Sequence, residues 1–206
     1  MCNKQKTQCK SPSIETERLL LRHFTEEDLD EFYRIFRDED VLKYVPMYPV
    51  HSLEEAKKLL EDSYFKAYSR GAIDNYAICL KQNGQNPKII GYIGINGGSF
   101  YELGYAILKE YWNRGLTTEA AAALLAKAKA DGLPYVVATH DRENPASGRV
   151  MQKAGMTYRY SYNELWQPKN YWVTFRLYQI DLNGEHSTDR TLWNKYEDHF
   201  VEHISG

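Results

Sequence analysis

Residues 116–130 read Leu-Thr-Thr-Glu-Ala-Ala-Ala-Ala-Leu-Leu-Ala-Lys-Ala-Lys-Ala and admit one local structure. Alanine gives up no side-chain entropy in a helix and leucine little, so this run predicts a helix. Strand-like runs bracket it, Glu102 to Leu108 before and Tyr135 to Thr139 after. A strand–helix–strand unit must bury its apolar faces in layers, and the rest of the chain supplies more of both elements.

Arg18-Leu19-Leu20-Leu21-Arg22 reads as a short buried strand. Thr25 is placed to cap a helix carrying Leu29, Phe32, Tyr33 and Phe36, with acids at 26–28 facing the dipole. Ser52 and Glu55 form a capping box that opens a second helix, bearing Leu59, Leu60, Tyr64 and Tyr68 and stopping near Gly71. The prolines at 46 and 49 keep the link between them out of regular helix. Tyr76–Leu80 and Ile89–Ile95 are strands. Pro145 to Ala154 is a helix with Pro145 at its first position and Gly155 past its end, and Tyr158–Leu165 and Trp172–Leu182 form a last strand pair. Thr188 to Ile204 has helical spacing, with Leu192, Trp193, Tyr196, Phe200 and Ile204 on one side. The expectation is an α/β (α+β) domain with one central sheet.

Two hundred and six residues suit one domain, or one domain with an appendage. The net charge of −2 and the lack of a basic tract point away from nucleic acid as a partner. No apolar run reaches the length of a membrane span, and residues 1–13 lack an apolar leader core, so a cytoplasmic protein is expected. Cys2, Cys9 and Cys79 are odd in number and form no CxxC pair, which fits free thiols in a reducing compartment.

The chemistry concentrates where the strand ending at Leu108 meets the helix beginning at Leu116. Gly115 stands at the helix mouth, where unpaired N–H groups and the positive dipole end favour an anion such as a pyrophosphate. On physics alone a plain strand–helix join is the commoner reading. No GxxxxGK[ST] occurs and no GxGxxG opens a helix, so the other phosphate cradles are absent. His199 and His203, four apart, have metal-binding spacing without a third ligand, so a solvated helix face is the simpler reading and no metal is expected.

Three segments together resemble the GNAT superfamily of acyl-CoA-dependent N-acetyltransferases, and within it the RimJ/RimL-like branch that acetylates ribosomal-protein N-termini. They are the entry strand Ile14-Glu15-Thr16-Glu17-Arg18-Leu19-Leu20-Leu21-Arg22; the fourth strand Glu102-Leu103-Gly104-Tyr105-Ala106-Ile107 with the loop from Tyr111 to Ala120; and Asn144-Pro145-Ala146-Ser147 with Lys153-Ala154-Gly155-Met156. The resemblance covers residues 14–182. It implies a mostly antiparallel mixed sheet, flanked by helices and splayed between its fourth and fifth strands. Residues 1–13 are then a flexible tail and 183–206 a C-terminal helical extension, docked on its own domain in preference to a second subunit. A monomer or a homodimer fits equally.

The resemblance also implies acetyl-CoA as co-substrate and a primary amine as acceptor. The amides of Asn113, Arg114, Gly115, Leu116, Thr117 and Thr118 are expected to hold the pyrophosphate. Ile107 and Leu108 are expected to pair with the pantetheine arm, and Asn144 to bond one of its amides. Glu102 occupies a family base position, and an exposed strand residue is the alternative. An ammonium cannot attack a thioester. At pH 7 deprotonating a lysine costs about 4.6 kcal/mol but an α-amine only about 1.4, so a solvent-linked glutamate suffices for an N-terminus. Many relatives carry a tyrosine acid seven residues after the asparagine; here that position is Met151, and Ser147 is the substitute expected near the leaving sulfur. The competing reading is a non-catalytic acyl-CoA sensor on the same fold. Tyr48 and Trp166 are the aromatics expected to face the acceptor, His140 reads as a structural histidine, and the extension is expected to have no catalytic role.

Overall fold

A computed structural model describes residues 13–69, 75–82 and 84–204. Residues 1–12 of the expected tail, with Cys2 and Cys9, and the helix stop near Gly71 lie outside the described residues. The strands are β1 (Ile14–Glu15), β2 (Leu19–Arg22), β3 (Asn75–Gln82), β4 (Gln85–Asn96), β5 (Glu102–Ile107), β6 (Tyr135–Asp141), β7 (Thr157–Trp166), β8 (Tyr171–Asp181) and β9 (His199–Phe200). The helices are α1 (Leu29–Phe36), α2 (Glu39–Leu42), α3 (Leu53–Leu59), α4 (Lys66–Ser69), α5 (Leu116–Ala130), α6 (Pro145–Lys153) and α7 (Thr191–Lys195), with a π-helical stretch joining α3 to α4.

The sheet has nine strands in the order β1-β2-β3-β4-β5-β6-β8-β7-β9, antiparallel except for β5 and β6. β4 and β5 pair over six positions, from Gly91–Ile107 to Asn96–Glu102. β5 and β6 share one register pair, Glu102 with Val137, and then diverge. That divergence is the splay. Leu108 N–H donates to Ile90 O at 2.8 Å and Val137 N–H to Tyr101 O at 2.8 Å. Even-numbered residues of β5 therefore turn their backbone groups to β4 and odd-numbered ones to the β6 side. Beyond Leu103 the odd-numbered amides face the gap.

Register also assigns side chains to faces, because residues paired across a ladder point to the same side. One face carries Tyr162, Phe175, Leu177, Thr139, Val137 and Glu102 by successive pairing, and continues through Ala106 to Tyr92. α1 covers the Tyr92 end, where Phe36 stacks on that ring at 5.1 Å. The opposite face carries Leu103, Tyr105 and Ile107 and is covered by α5 and α6, with α5 packed on β1, β2, β4 and β5 and α6 on β6. The main core holds Phe32, Ile78, Ile93, Leu124 and Ala138; a second apolar cluster under the chain's end holds Val137, Tyr160, Phe175, Leu177 and Leu192.

The end of the chain corrects one expectation. Thr188–Ile204 is not one helix. Only Thr191–Lys195 is helical, and His199–Phe200 pairs with Tyr162 and Ser161 as the sheet's edge strand. The bare backbone of β7 is a stronger claim on this segment than its 3.6-residue period: Asn163 N–H donates to Asp198 O at 2.9 Å. The apolar residues still dock intramolecularly, Leu192 buried and Trp193 edge-on to Tyr160 at 5.2 Å. His199 lies against Trp193 with rings 3.8 Å apart, so His199 and His203 do not share a solvated helix face.

Candidate active site

The loop after β5 turns twice through left-handed backbone, at Asn113 (φ 59°) and Gly115 (φ 74°). Gly115 is the N-cap of α5 and no side chain caps that helix among the described residues, leaving the first-turn amides of Leu116, Thr117 and Thr118 open to an external acceptor. Arg18 fixes the loop from behind. Its Nη1 donates to Arg114 O at 3.0 Å, its Nε to Glu119 Oε2 at 2.7 Å, and Thr16 Oγ1 donates to Glu119 Oε1 at 2.6 Å. Burial pushes the Glu119 carboxyl up, but the bonds from Thr16 and Arg18 outweigh it and hold the group below the usual range. The entry-strand motif thus braces the loop before α5. These groups fit a pyrophosphate.

Ile107 and Leu108 part company. Leu108 spends its N–H on Ile90 O and its C=O on Tyr111 N–H at 2.9 Å, so its backbone is taken by the sheet and turn. Ile107 turns toward the gap; its C=O accepts from Trp112 Nε1 at 2.8 Å and its N–H remains on the open side.

Asn144 caps α6, its Oδ1 accepting from Ser147 N–H at 3.4 Å, so the capping reading holds while its Nδ2 is a separate donor. Ser147 Oγ lies 3.0 Å from the phenol oxygen of Tyr105, which also donates to Ser147 O at 3.0 Å. Tyr105 went unmarked in the sequence; its odd-numbered place among the strand's inward residues was the available signal. Burial raises its phenol, partly offset by Ser147, so it stays protonated at neutral pH. Met151 is buried at 1% exposure.

Glu102 sits on the other face. It is not an exposed strand residue: it is half-buried and accepts from Thr139 Oγ1 at 2.9 Å. Burial raises its carboxyl above the ordinary range, Thr139 opposes that, Glu164 adds to it and Lys195 opposes it. Two hydrogen bonds bridge loops around this face, Tyr44 Oη to Glu143 O at 3.1 Å and Tyr48 Oη to Pro168 O at 3.0 Å. Tyr48 is exposed, whereas Trp166 packs between Tyr171 and Phe175 in the second cluster at 6% exposure. His140 is buried and structural, Nδ1 donating to Asp141 O at 2.8 Å. Cys79 is buried, and burial pushes its thiol up to about 11.

Among the described residues, no helix is long and apolar enough to cross a membrane. The family model for the acetyltransferase (GNAT) domain matches residues 18–157. The uncharacterised N-acetyltransferase YnaD of Bacillus subtilis (strain 168) is 32% identical over 147 residues, 69% of this chain and 81% of that protein. A GNAT-family acetyltransferase structure from Bacillus anthracis is similar with TM-score 0.70 and 29% identity, covering 82% of this chain and 98% of that one. RimL, a ribosomal L7/L12 alpha-N-protein acetyltransferase solved with coenzyme A, shares the fold with TM-score 0.73 at 18% identity, over 84% of this chain and all of that one.

Proposed function

The chain belongs to the GNAT acetyltransferase family and is an acyl-CoA-dependent acetyltransferase, and from that premise we propose that it acetylates a peptide N-terminal amine by direct attack within a ternary complex, in the manner of the RimJ/RimL-like branch. The observation that carries this reading is the placement of Glu102 on one face of the splay and the Tyr105–Ser147 pair on the other. A thioester held in the gap meets a base on its attack side and a proton donor on its leaving side.

In this reading the open amides after Gly115 and that of Ile107 hold the co-substrate, with Asn144 as a further donor. Glu102 takes the proton of the incoming ammonium. Glu102 releases that proton to solvent, the amine nitrogen bonds to the acetyl carbonyl, the carbon–sulfur bond breaks, the nitrogen's second proton passes to Glu102, and the thiolate takes the Ser147 hydroxyl proton, which is restored from solvent through Tyr105. The raised carboxyl of Glu102 suits an α-amine, whose own pKa is close to neutral. The buried, protonated Cys79 thiol argues against an acetyl-enzyme. A free-thiol assay with acetyl-CoA over a panel of peptides, polyamines and amino acids tests it. Intersecting initial-rate lines with a peptide acceptor are expected; parallel lines or a trapped acetyl-enzyme would refute direct attack.

A further inference from the structure

The family match ends at residue 157, and the chain continues well past β8. Its last segment returns to the face that carries Glu102. Resting on the proposed function, we infer that this segment completes the acceptor site, and that Lys195 and Tyr196 are specificity-determining residues selecting an amine that carries an anionic group close by.

Cross-strand pairing puts Tyr162, Thr139 and Glu102 on one face. The ring of Tyr196 stacks on Tyr162, centroids 4.8 Å apart and planes 8° from parallel. Lys195 Nζ donates to the Tyr196 phenol oxygen at 2.7 Å. The segment is held firmly. Trp193 N–H donates to Tyr160 Oη at 3.2 Å, β9 pairs with β7, and Glu202 accepts from Arg176 and Ser161. Such an anchored pair of tyrosines is a preorganised wall and not a loose tail.

The charges on this wall are mixed. Glu102 lies inward, Glu164 stands with Lys195 at the Tyr196 phenol, and the Lys195 ammonium, held charged by Tyr196 first, then Glu164 and Glu102, is the more exposed of the two. An acceptor ammonium drawn to Glu102 brings its neighbouring atoms toward Lys195. A carboxylate there finds a partner, whereas the second ammonium of a polyamine meets a like charge.

The test compares Ser-Glu-Ala-amide, Ser-Gln-Ala-amide and spermidine as acceptors for the full chain and for Lys195→Glu and Lys195→Arg. The wild type is expected to prefer the glutamyl over the glutaminyl peptide by about tenfold in kcat/KM, with spermidine poorest. Lys195→Glu removes that preference and Lys195→Arg keeps it, both with unchanged KM for acetyl-CoA and unchanged melting temperature. Equal use of the two peptides by the wild type, equal loss on both in Lys195→Glu, or spermidine as the best acceptor overturns the proposal while the transferase reading stands. Binding of acetyl-CoA without turnover of any amine overturns both.

Discussion

The phenol oxygen of Tyr105 and the hydroxyl of Ser147 stand 3.0 Å apart, tying the open side of β5 to the first turn of α6. The contact crosses the splay at the level where β5 and β6 have lost their pairing. Burial disfavours the phenolate, so Tyr105 stays protonated and, in the proposed mechanism, serves to pass a proton to Ser147 and not as a strong acid of its own.

Tyr105→Phe and Ser147→Ala are therefore expected to lower kcat by about tenfold or more, within the range of general acid catalysis, with KM for acetyl-CoA little changed. The double variant loses no more than the worse single one if the two hydroxyls act as a unit. Steady-state kinetics with a thiol readout decides; additive losses would separate the roles.

Glu102 couples activity to stability with opposite signs. In its proposed role as base it must be ionised, so kcat/KM is expected to rise with pH through its raised pKa, and Glu102→Gln to remove that limb and lower kcat by about a hundredfold. A carboxyl whose folded pKa lies above its unfolded one makes the native state bind more protons. Its contribution is full below the unfolded pKa and is lost as pH rises through the folded one. Glu102→Gln should thus melt higher than wild type at pH 7 and equal it near pH 4. A variant that melts lower at pH 7 would mean that the Thr139 bond outweighs the cost of the buried charge.

The helix at 116–130, both strands beside the splay and the glycine at the helix mouth were legible in the sequence, because each rests on local propensity or on a short motif. Tyr105 was not, since its partner lies forty-two residues along the chain and only the packing of α6 on β6 brings the two together. The chain's end misled for a related reason. Leu192, Trp193, Tyr196 and Phe200 keep helical spacing, yet the unpaired edge of β7, a tertiary feature, takes His199–Phe200 as a strand.

Arg18 braces the loop that is proposed to hold the pyrophosphate. Arg18→Ala frees Arg114 O and one side of Glu119, and is expected to raise KM for acetyl-CoA several-fold with acceptor KM unchanged. The guanidinium is 44% exposed, so the stability loss is modest, about 1 kcal/mol. Glu119 has a depressed carboxyl, so its contribution is present above the unfolded pKa and fades as pH falls through the folded one. Isothermal titration with coenzyme A and thermal melts over pH 3 to 7 read both effects. Unaltered coenzyme A affinity would show that the loop holds its shape unaided.

Gly148, one residue past Ser147, is tightly confined. A Cβ there would stand 2.6 Å from the buried Nε2 of His140, which has no hydrogen-bond partner among the described residues. Burial holds the imidazole neutral, and Nδ1 spends its proton on Asp141 O, so the ring is fixed in place. Gly148→Ala must push α6 outward or tilt the ring. The expected loss is about 1–3 kcal/mol of stability, as for other overpacked sites, together with a drop in kcat because Ser147 moves with the helix. Truncating the ring removes the obstacle, so His140→Ala combined with Gly148→Ala should be less destabilised than the two single changes added together. Chemical denaturation of the four proteins measures the coupling. Strict additivity would mean that the helix takes up the methyl group without pressing on the histidine.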